Sequence, residues 1–287
     1  MEAAGATLWT VETAFGDRPF EITRGDFCGS REIQFRSFDE IWLKEAMFNQ
    51  AVSRLPLDWE YVCLIDADIM FQNPYWLTET VQKLQHYMVV QMFAEAVDLG
   101  PRHEIMQTHR GFVKGYFDNG FKCPNMKHKD WSYYGYGPTG SFAHPGYAWA
   151  FRREALQHLG GMIDFAIAGS GDHHCAMALI GEVEKTFPPN IHSRYIQKLV
   201  RWQDRALKYI HKDIGFVDGT ISHFFHGRKS QRKYKERWSI LLDNNYDPDL
   251  DLKRDTQGLW VFTDNNIRLR DEMRAYFAQR NEDGNEV

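Results

Sequence analysis

The chain has 287 residues, 43% of them hydrophobic and 15% aromatic, with a net charge of −5. This supports one large or two small domains with a substantial core, and 25% charged residues is ordinary for a soluble protein. No run of about 18 apolar residues is present to span a membrane, residues 1–5 lack the basic head and apolar core of a secretory leader, and Cys28, Cys63, Cys123 and Cys175 fit neither a disulfide framework nor a zinc spacing, so a reducing, cytoplasmic setting is expected.

Charge is unevenly spread. Residues 194–237 carry twelve Lys/Arg against four Asp/Glu, a local +8 that leaves the remainder near −13. A basic block in an acidic protein suggests an anionic ligand, or else a pair of solvated helices.

In chain order, residues 8–14 (LWTVETA) and the shorter 32–35 (EIQF) read as strands. Ser37, with Glu40 three residues on, forms a capping box that predicts a helix. Phe38, Ile41, Trp42, Phe48, Val52 and Leu55 give that helix an apolar stripe, which Glu45 interrupts. Residues 61–65 (YVCLI) read as a fully buried strand, Asn73-Pro74 opens the next helix, and 88–93 (MVVQMF) is again a strand. Strands alternating with helices predict an α/β sheet with parallel members.

Residues 95–145 are rich in Gly, Tyr, His and Lys and lack a period, so they read as one long functional loop or lid. Beyond them come a strand at 147–151 and a helix at 152–159 that stops at Gly160-Gly161. Helices follow at 173–180, just after Asp172, and at 191–210. Strands at 214–217 and 221–225 and helices at 234–242 and 266–278 complete the chain.

Three constellations carry chemistry. Asp66-Ala67-Asp68 ends the strand YVCLI, where ligands of open α/β sheets bind, and paired carboxylates there suit Mg²⁺ or Mn²⁺ shared with a phosphate. Between His144 and Ala176, Asp164 follows a Gly-Gly pair and Asp172 follows Gly-Ser-Gly at a helix start, as a helix cap or as a general base. His173 and His174 lie about 100° apart on that helix, so at most one faces a site. Finally, His223 and His226 face opposite sides if their segment is extended, so one of them is expected to complete a metal site. Arg228, Lys229 and Arg232 follow, suited to a diphosphate.

Taken in order, IDAD, then HPGYAWAFRREALQHLGGMID with GSGDHH, then ISHFFHG, resemble the GT-A glycosyltransferases, enzymes of nucleotide-sugar donors, with a galactosyltransferase-like C-terminal motif and of phage or bacterial type. The resemblance covers about residues 8–237. It implies a GT-A, Rossmann-like mixed sheet flanked by helices over 1–245, with 246–287 a helical extension packed on it. It implies Mn²⁺ or Mg²⁺ on Asp66, Asp68 and His223, the last favoured over His226. It places Lys44, Asn49, Asp66 and Arg228 near the donor. Asp172 becomes the catalytic base, and Trp131, Tyr147, Asp164 and His173 surround the acceptor: a glycan, a lipid-linked sugar or a modified nucleic acid.

One departure matters: the family's acidic pair is Asp172-His173 here, which leaves a single carboxylate for base catalysis. The implied reaction moves a sugar from a nucleoside-diphosphate donor to a hydroxyl, inverting if Asp172 is the base and open to retention if it only binds the acceptor. Because MEAAG looks like the tail of a helix, the fold is expected to lack the first strand and helix usual in the family. Two other readings compete. A two-ion phosphodiester hydrolase predicts more carboxylates at the metal, and a non-catalytic sugar- or nucleic-acid-binding module would use residues 131–136 and the basic block.

Overall fold

The computed structural model describes residues 5–25, 31–124, 143–227, 233 and 236–280. The first half of the chain forms β1 (Thr10–Phe15), β2 (Glu32–Ser37), α1 (Lys44–Val52), β3 (Tyr61–Ile65), β4 (Ile69–Phe71), α2 (Trp76–Leu84), β5 (Val89–Gln91), β6 (Glu95–Leu99), β7 (Ile105–Gly111) and α3 (Phe112–Asp118). The second half forms β8 (Ala143–His144), β9 (Ala148–Arg152), α4 (Arg153–Leu159), α5 (Gly171–Leu179), α6 (Ser193–Arg205), β10 (Ile214–Phe216), β11 (Thr220–His223), α7 (Glu236–Asp243), the hairpin strands β12 (Leu252–Arg254) and β13 (Trp260–Phe262), and α8 (Ile267–Ala278).

The architecture is mixed α/β, with parallel and antiparallel strand pairs flanked by helices. β1 and β2 pair in parallel. One sheet has the order β10-β5-β9-β3, with β9 antiparallel to both neighbours. Another has the order β4-β11-β6-β7-β8. Each strand of the first sheet connects through three residues to a strand of the second: β3 to β4 through 66–68, β5 to β6 through 92–94, β8 to β9 through 145–147, and β10 to β11 through 217–219. This seam gathers the residues of interest, because the chain crosses it four times within a short distance.

Several expectations need correction. YVCLI is not fully buried: β3 is an edge strand, and only Leu64 among its residues is buried. Ser37 does not cap a helix. It ends β2 opposite Phe15, and its Oγ bonds both the N–H and the C=O of Asp39, so α1 starts only at Lys44. Residues 95–124 are no loop, since β6, β7 and α3 occupy most of them. Their period was masked because β6 buries a carboxylate, Asp98, alongside Ala96. The segment after 245 is not only helical: the β12–β13 hairpin precedes α8. Tyr246, Leu252, Phe262, Leu269 and Met273 share the main apolar core with α1, α4, α5 and α6.

Two residues expected at the ligand site are part of the framework. Asp164 Oδ1 accepts from Trp260 Nε1 at 2.9 Å, and its Oδ2 from Asn49 Nδ2 at 2.9 Å and Arg254 Nη2 at 2.7 Å. Asn49 also donates to the Met162 carbonyl at 3.0 Å and accepts from the Met162 N–H at 2.7 Å. Together they tie α1, the turn after α4 and the C-terminal hairpin into one knot. Asn49 is therefore removed from the donor site and Asp164 from the acceptor site. Because truncating this nearly buried carboxylate leaves the part-buried donors of Asn49 and Trp260 without their acceptor, Asp164→Ala should lower unfolding free energy by about 2–4 kcal/mol in urea denaturation. Divalent-cation affinity should be unaffected.

Candidate active site at the sheet seam

The turn after β3 sends its two aspartates to different partners. Asp66 N–H is fixed to the Tyr147 carbonyl at 2.9 Å, and the chain then turns through Ala67 and Asp68 into β4, which pairs with β11. Asp68 Oδ2 lies 3.4 Å from His223 Nε2 and 3.1 Å from His226 Nε2, and the two imidazole nitrogens are 3.1 Å apart. Both histidines converge, against the expectation that they diverge. β11 ends at His223, so strand alternation stops there, and the irregular stretch to Gly227 (φ +81°) turns His226 back toward Asp68.

This trio fits a cation. Ligands about 2.1 Å from one ion and roughly 90–110° apart are separated by about 3.0–3.4 Å, the spacing seen here. Asp68 Oδ1 is buried and has no hydrogen-bond partner among the described residues, as suits a further coordinating oxygen. Burial pushes the Asp68 carboxyl up, but the His223 hydrogen bond and the charges of His223 and His226 outweigh it and hold it at about 2. His223 is desolvated, which pulls its pKa down, yet Asp68 and Asp98 together raise it.

Behind the trio stands Asp98, 2% exposed. β11 pairs with β6 in parallel with His223 opposite Asp98, so both side chains leave the sheet on one face. Asp98 Oδ1 is 2.9 Å from His223 Nδ1 and accepts from Tyr147 Oη at 2.9 Å, while Oδ2 is 2.7 Å from His109 Nε2. A carboxylate only accepts, so Asp98 holds a proton on His223 Nδ1, and a cation taken up by the trio would displace any proton from Nε2, the nitrogen that faces Asp68 and His226. Tyr147 holds φ +75°, costly for a side chain of its size, and its ring stacks on His144 at 3.9 Å.

Asp66 turns the other way. Its Oδ2 is 3.1 Å from Lys44 Nζ, which also lies 3.9 Å from Asp172 Oδ2. Asp66 is thus held by an ammonium instead of joining the cation trio. Burial still raises its carboxyl to about 6 despite Lys44. Lys44 is desolvated too, but Asp66 and Asp172 raise its pKa above the ordinary value. Asp172 sits in the first turn of α5 and accepts from His173 N–H at 2.7 Å. Gly146 makes room for it, since a Cβ there would stand 2.5 Å from Asp172 Oδ2. Glu45 lies beneath, 3% exposed, with Oε2 accepting from Trp42 Nε1 at 3.0 Å. Burial pushes its carboxyl up from 4.5 to about 7, with Lys44 opposing and Asp172 adding to the rise.

Most of these side chains open on one cavity of about 630 Å³, with Asp98 and Glu45 behind its wall. Of the residues expected at a site, Lys44, Asp66, Asp68, Tyr147, Asp172 and His223 line it, and so does His226. β1, Trp42 and the α8 end supply apolar and aromatic wall through Val11, Phe15 and Phe277. His173 is buried at 2% and does not line the cavity, and His174 is a core residue bonded to Thr186 Oγ1 and Tyr195 Oη. The acceptor role of His173 is therefore withdrawn. Trp131 and Arg228 lie outside the described residues. Of the described cations of the basic block, only Arg237 lines the cavity, while Arg194 and Lys198 pair with Asp247 and Asp249. Glu45, Asp98, His109 and His144 were not anticipated. The one signal was Glu45, the break in an otherwise apolar stripe.

The chain matches no protein-family model, no curated protein and no solved structure. Among the described residues, no helix is long and apolar enough to cross a membrane.

Two outcomes follow from this geometry. Asp98→Asn keeps the shape but loses the strong acceptor that sets the His223 tautomer, so Mn²⁺ affinity by calorimetry should drop roughly 10–100-fold. Glu45 favours its neutral form in the fold, so its contribution to stability is complete below pH 4.5 and is lost as pH rises through about 7. Glu45→Gln should therefore gain in melting temperature relative to wild type between about pH 6 and 8, and show no such gain at about pH 4.

Proposed function

We propose that the protein is a divalent-cation-dependent glycosyltransferase of the GT-A type, moving a sugar from a nucleoside-diphosphate donor to an acceptor hydroxyl. The observation that carries this reading is the convergence of Asp68, His223 and His226 in the cavity that also holds Lys44 and Asp172. A cation held by that trio would offset the charge gathering on the departing diphosphate. Two imidazoles with one carboxylate favour Mn²⁺ over Mg²⁺, which prefers an all-oxygen shell.

The chain's own residues supply the remaining chemistry. Asp172, 3.9 Å from Lys44, takes the proton of the acceptor hydroxyl as that oxygen bonds to the sugar carbon. A base acting opposite the leaving group implies inversion. Lys44 keeps Asp66 and Asp172 apart from the cation ligands while offsetting their mutual repulsion. Trp42, Phe15 and Phe277 give the cavity an aromatic wall on which a sugar or base could pack. Acceptors of this class include glycans, lipid-linked sugars and modified nucleic acid.

Two-ion phosphodiester hydrolysis has less support. Among the described residues Asp68, His223 and His226 form the single cluster suited to a metal, and Asp66 is engaged by Lys44. The test is a screen of nucleotide sugars with Mn²⁺, following nucleoside-diphosphate release and thermal shift. Asp68→Ala should abolish turnover and the Mn²⁺-dependent nucleotide shift. Asp172→Asn should cut turnover by roughly 10²–10⁴-fold with nucleotide affinity retained. Full activity in EDTA, or in Asp68→Ala, contradicts the reading.

A further inference from the structure

Asp172 stands on a partition. On one side is the large cavity. On the other is a second void of about 10 Å³, close to the space one water occupies, lined by Lys44, Glu45, Asp66, Tyr147 and Asp172 among others. Lys44, Asp66, Tyr147 and Asp172 face both spaces, whereas Glu45 faces only the small one. Asp172 and Lys44 are thus among the residues that stand between Glu45 and the cavity.

The local packing is built to bring the two carboxyls together. Gly146 lacks the Cβ that would strike Asp172 Oδ2. Gly171, the residue before Asp172, lacks the Cβ that would lie 2.6 Å from Glu45 Cδ and 2.8 Å from its Oε1. Ser170 adopts φ +79° to turn the chain into α5 at this point. Glu45 Oε1 is buried with no hydrogen-bond partner among the described residues, while Oε2 is held by Trp42. A buried carboxyl oxygen without a donor is costly if permanently ionised and well suited to holding a proton.

We propose that Glu45 and Asp172 act as one proton-sharing pair, in which the proton taken up by Asp172 passes through the water-sized void beside Lys44 to Glu45. This deepens the glycosyltransferase reading and rests on it for the source of the proton. The acceptor O–H bond breaks and its proton forms an O–H bond on the Asp172 carboxylate. The acceptor oxygen bonds to the sugar carbon, and the donor diphosphate leaves with the electron pair of the broken bond. The proton then moves by way of one water to the Glu45 carboxylate, and Asp172 is again ionised while product still fills the cavity. The exchange leaves the charge of the cluster around Lys44 unchanged, since one carboxylate is neutralised as the other is regenerated.

Among the described residues, the charged and titratable groups that act on Glu45 include Lys44 on its own helix, Asp66 on the turn after β3, Asp172 and Cys175 on α5, and Tyr195 on α6. Of these only Lys44 is a cation. With three carboxyls around a single ammonium, one proton is retained near neutrality, and the neutral form of Glu45 persists to about pH 7.

The test uses the full chain, without ligand, labelled with ¹³C at glutamate side-chain carboxyls so that the aspartates are silent. One resonance should titrate near pH 7 and be missing in Glu45→Gln. Its midpoint should fall by roughly one pH unit in Asp172→Asn, with Asp172→Ser as a second variant should the first fold poorly. A Glu45 midpoint that does not move in either variant overturns the pair, whatever reaction the protein performs. Where wild type transfers sugar, kcat should rise with pH through about 7 as Glu45 ionises, and Glu45→Gln should lose that limb and roughly tenfold of kcat, leaving donor KM unchanged. A change in KM or stability with the pH profile intact would reduce Glu45 to packing and overturn the relay. Absence of any sugar transfer by wild type would remove the glycosyltransferase reading, while the carboxyl coupling is still decided by the resonance.

Discussion

The buried carboxylate of Asp98 is the contact on which the rest of the site depends. Taking a carboxylate out of water is expensive unless donors surround it, and Asp98 is met by His223, His109 and Tyr147 on its two oxygens. Each partner is thereby fixed: His223 in one tautomer, Tyr147 in a backbone conformation its side chain disfavours, and His109 against the β6–β7 pair. Through His223 the order passes to Asp68 and His226, and through the Tyr147 carbonyl to Asp66. A single buried charge on β6 therefore sets the positions of residues on β7 and β11, in the turn after β3 and in the turn before β9.

The seam between the sheets explains why such different segments can meet. Strand interiors have their backbone groups committed to ladders, but the short crossings between strands leave side chains free to turn inward. Asp66 to Asp68, Pro145 to Tyr147 and the stretch after His223 are all crossings or strand ends of this kind. Glycine appears where a crossing or a helix start presses against a neighbouring helix. Gly146 and Gly171 have no side chain because Asp172 and Glu45 occupy that space.

Much of this was legible in the sequence, though unevenly. The run YVCLI ending in IDAD fixed a strand and a carboxylate turn, because apolar β-formers followed by short acidic residues have few other solutions. The Gly160 stop of α4 was equally readable, since φ +74° suits glycine. What sequence could not separate was a carboxylate that serves a site from one that serves the framework. Asp164 and Asp172 stand in similar settings after glycines, yet Asp164 is saturated by Asn49, Arg254 and Trp260, the last two some ninety residues away. Asp98 was hidden for the related reason that burying a charge breaks the apolar alternation by which strands are recognised. His226 was misjudged because alternation was extended one turn past the end of β11.

Asp66 and Asp68 show how a two-residue spacing can serve two ends of a cavity. Asp68 is surrounded by imidazoles and held at low pKa, whereas Asp66 is desolvated beside an ammonium and pushed up to about 6. The difference comes from what each faces across the seam, since the residues are chemically identical and share one turn. Lys44 is what keeps them apart: at 3.1 Å it engages Asp66, and at 3.9 Å it reaches Asp172. Were Asp66 instead to join the cation ligands, Lys44 would be left balancing Asp172 and Glu45 alone, and that less compensated ammonium would favour the ionised form of the carboxyls beside it more strongly. The side-chain arrangement thus divides the cavity into an end suited to a cation and an end suited to a proton, with one lysine as the boundary.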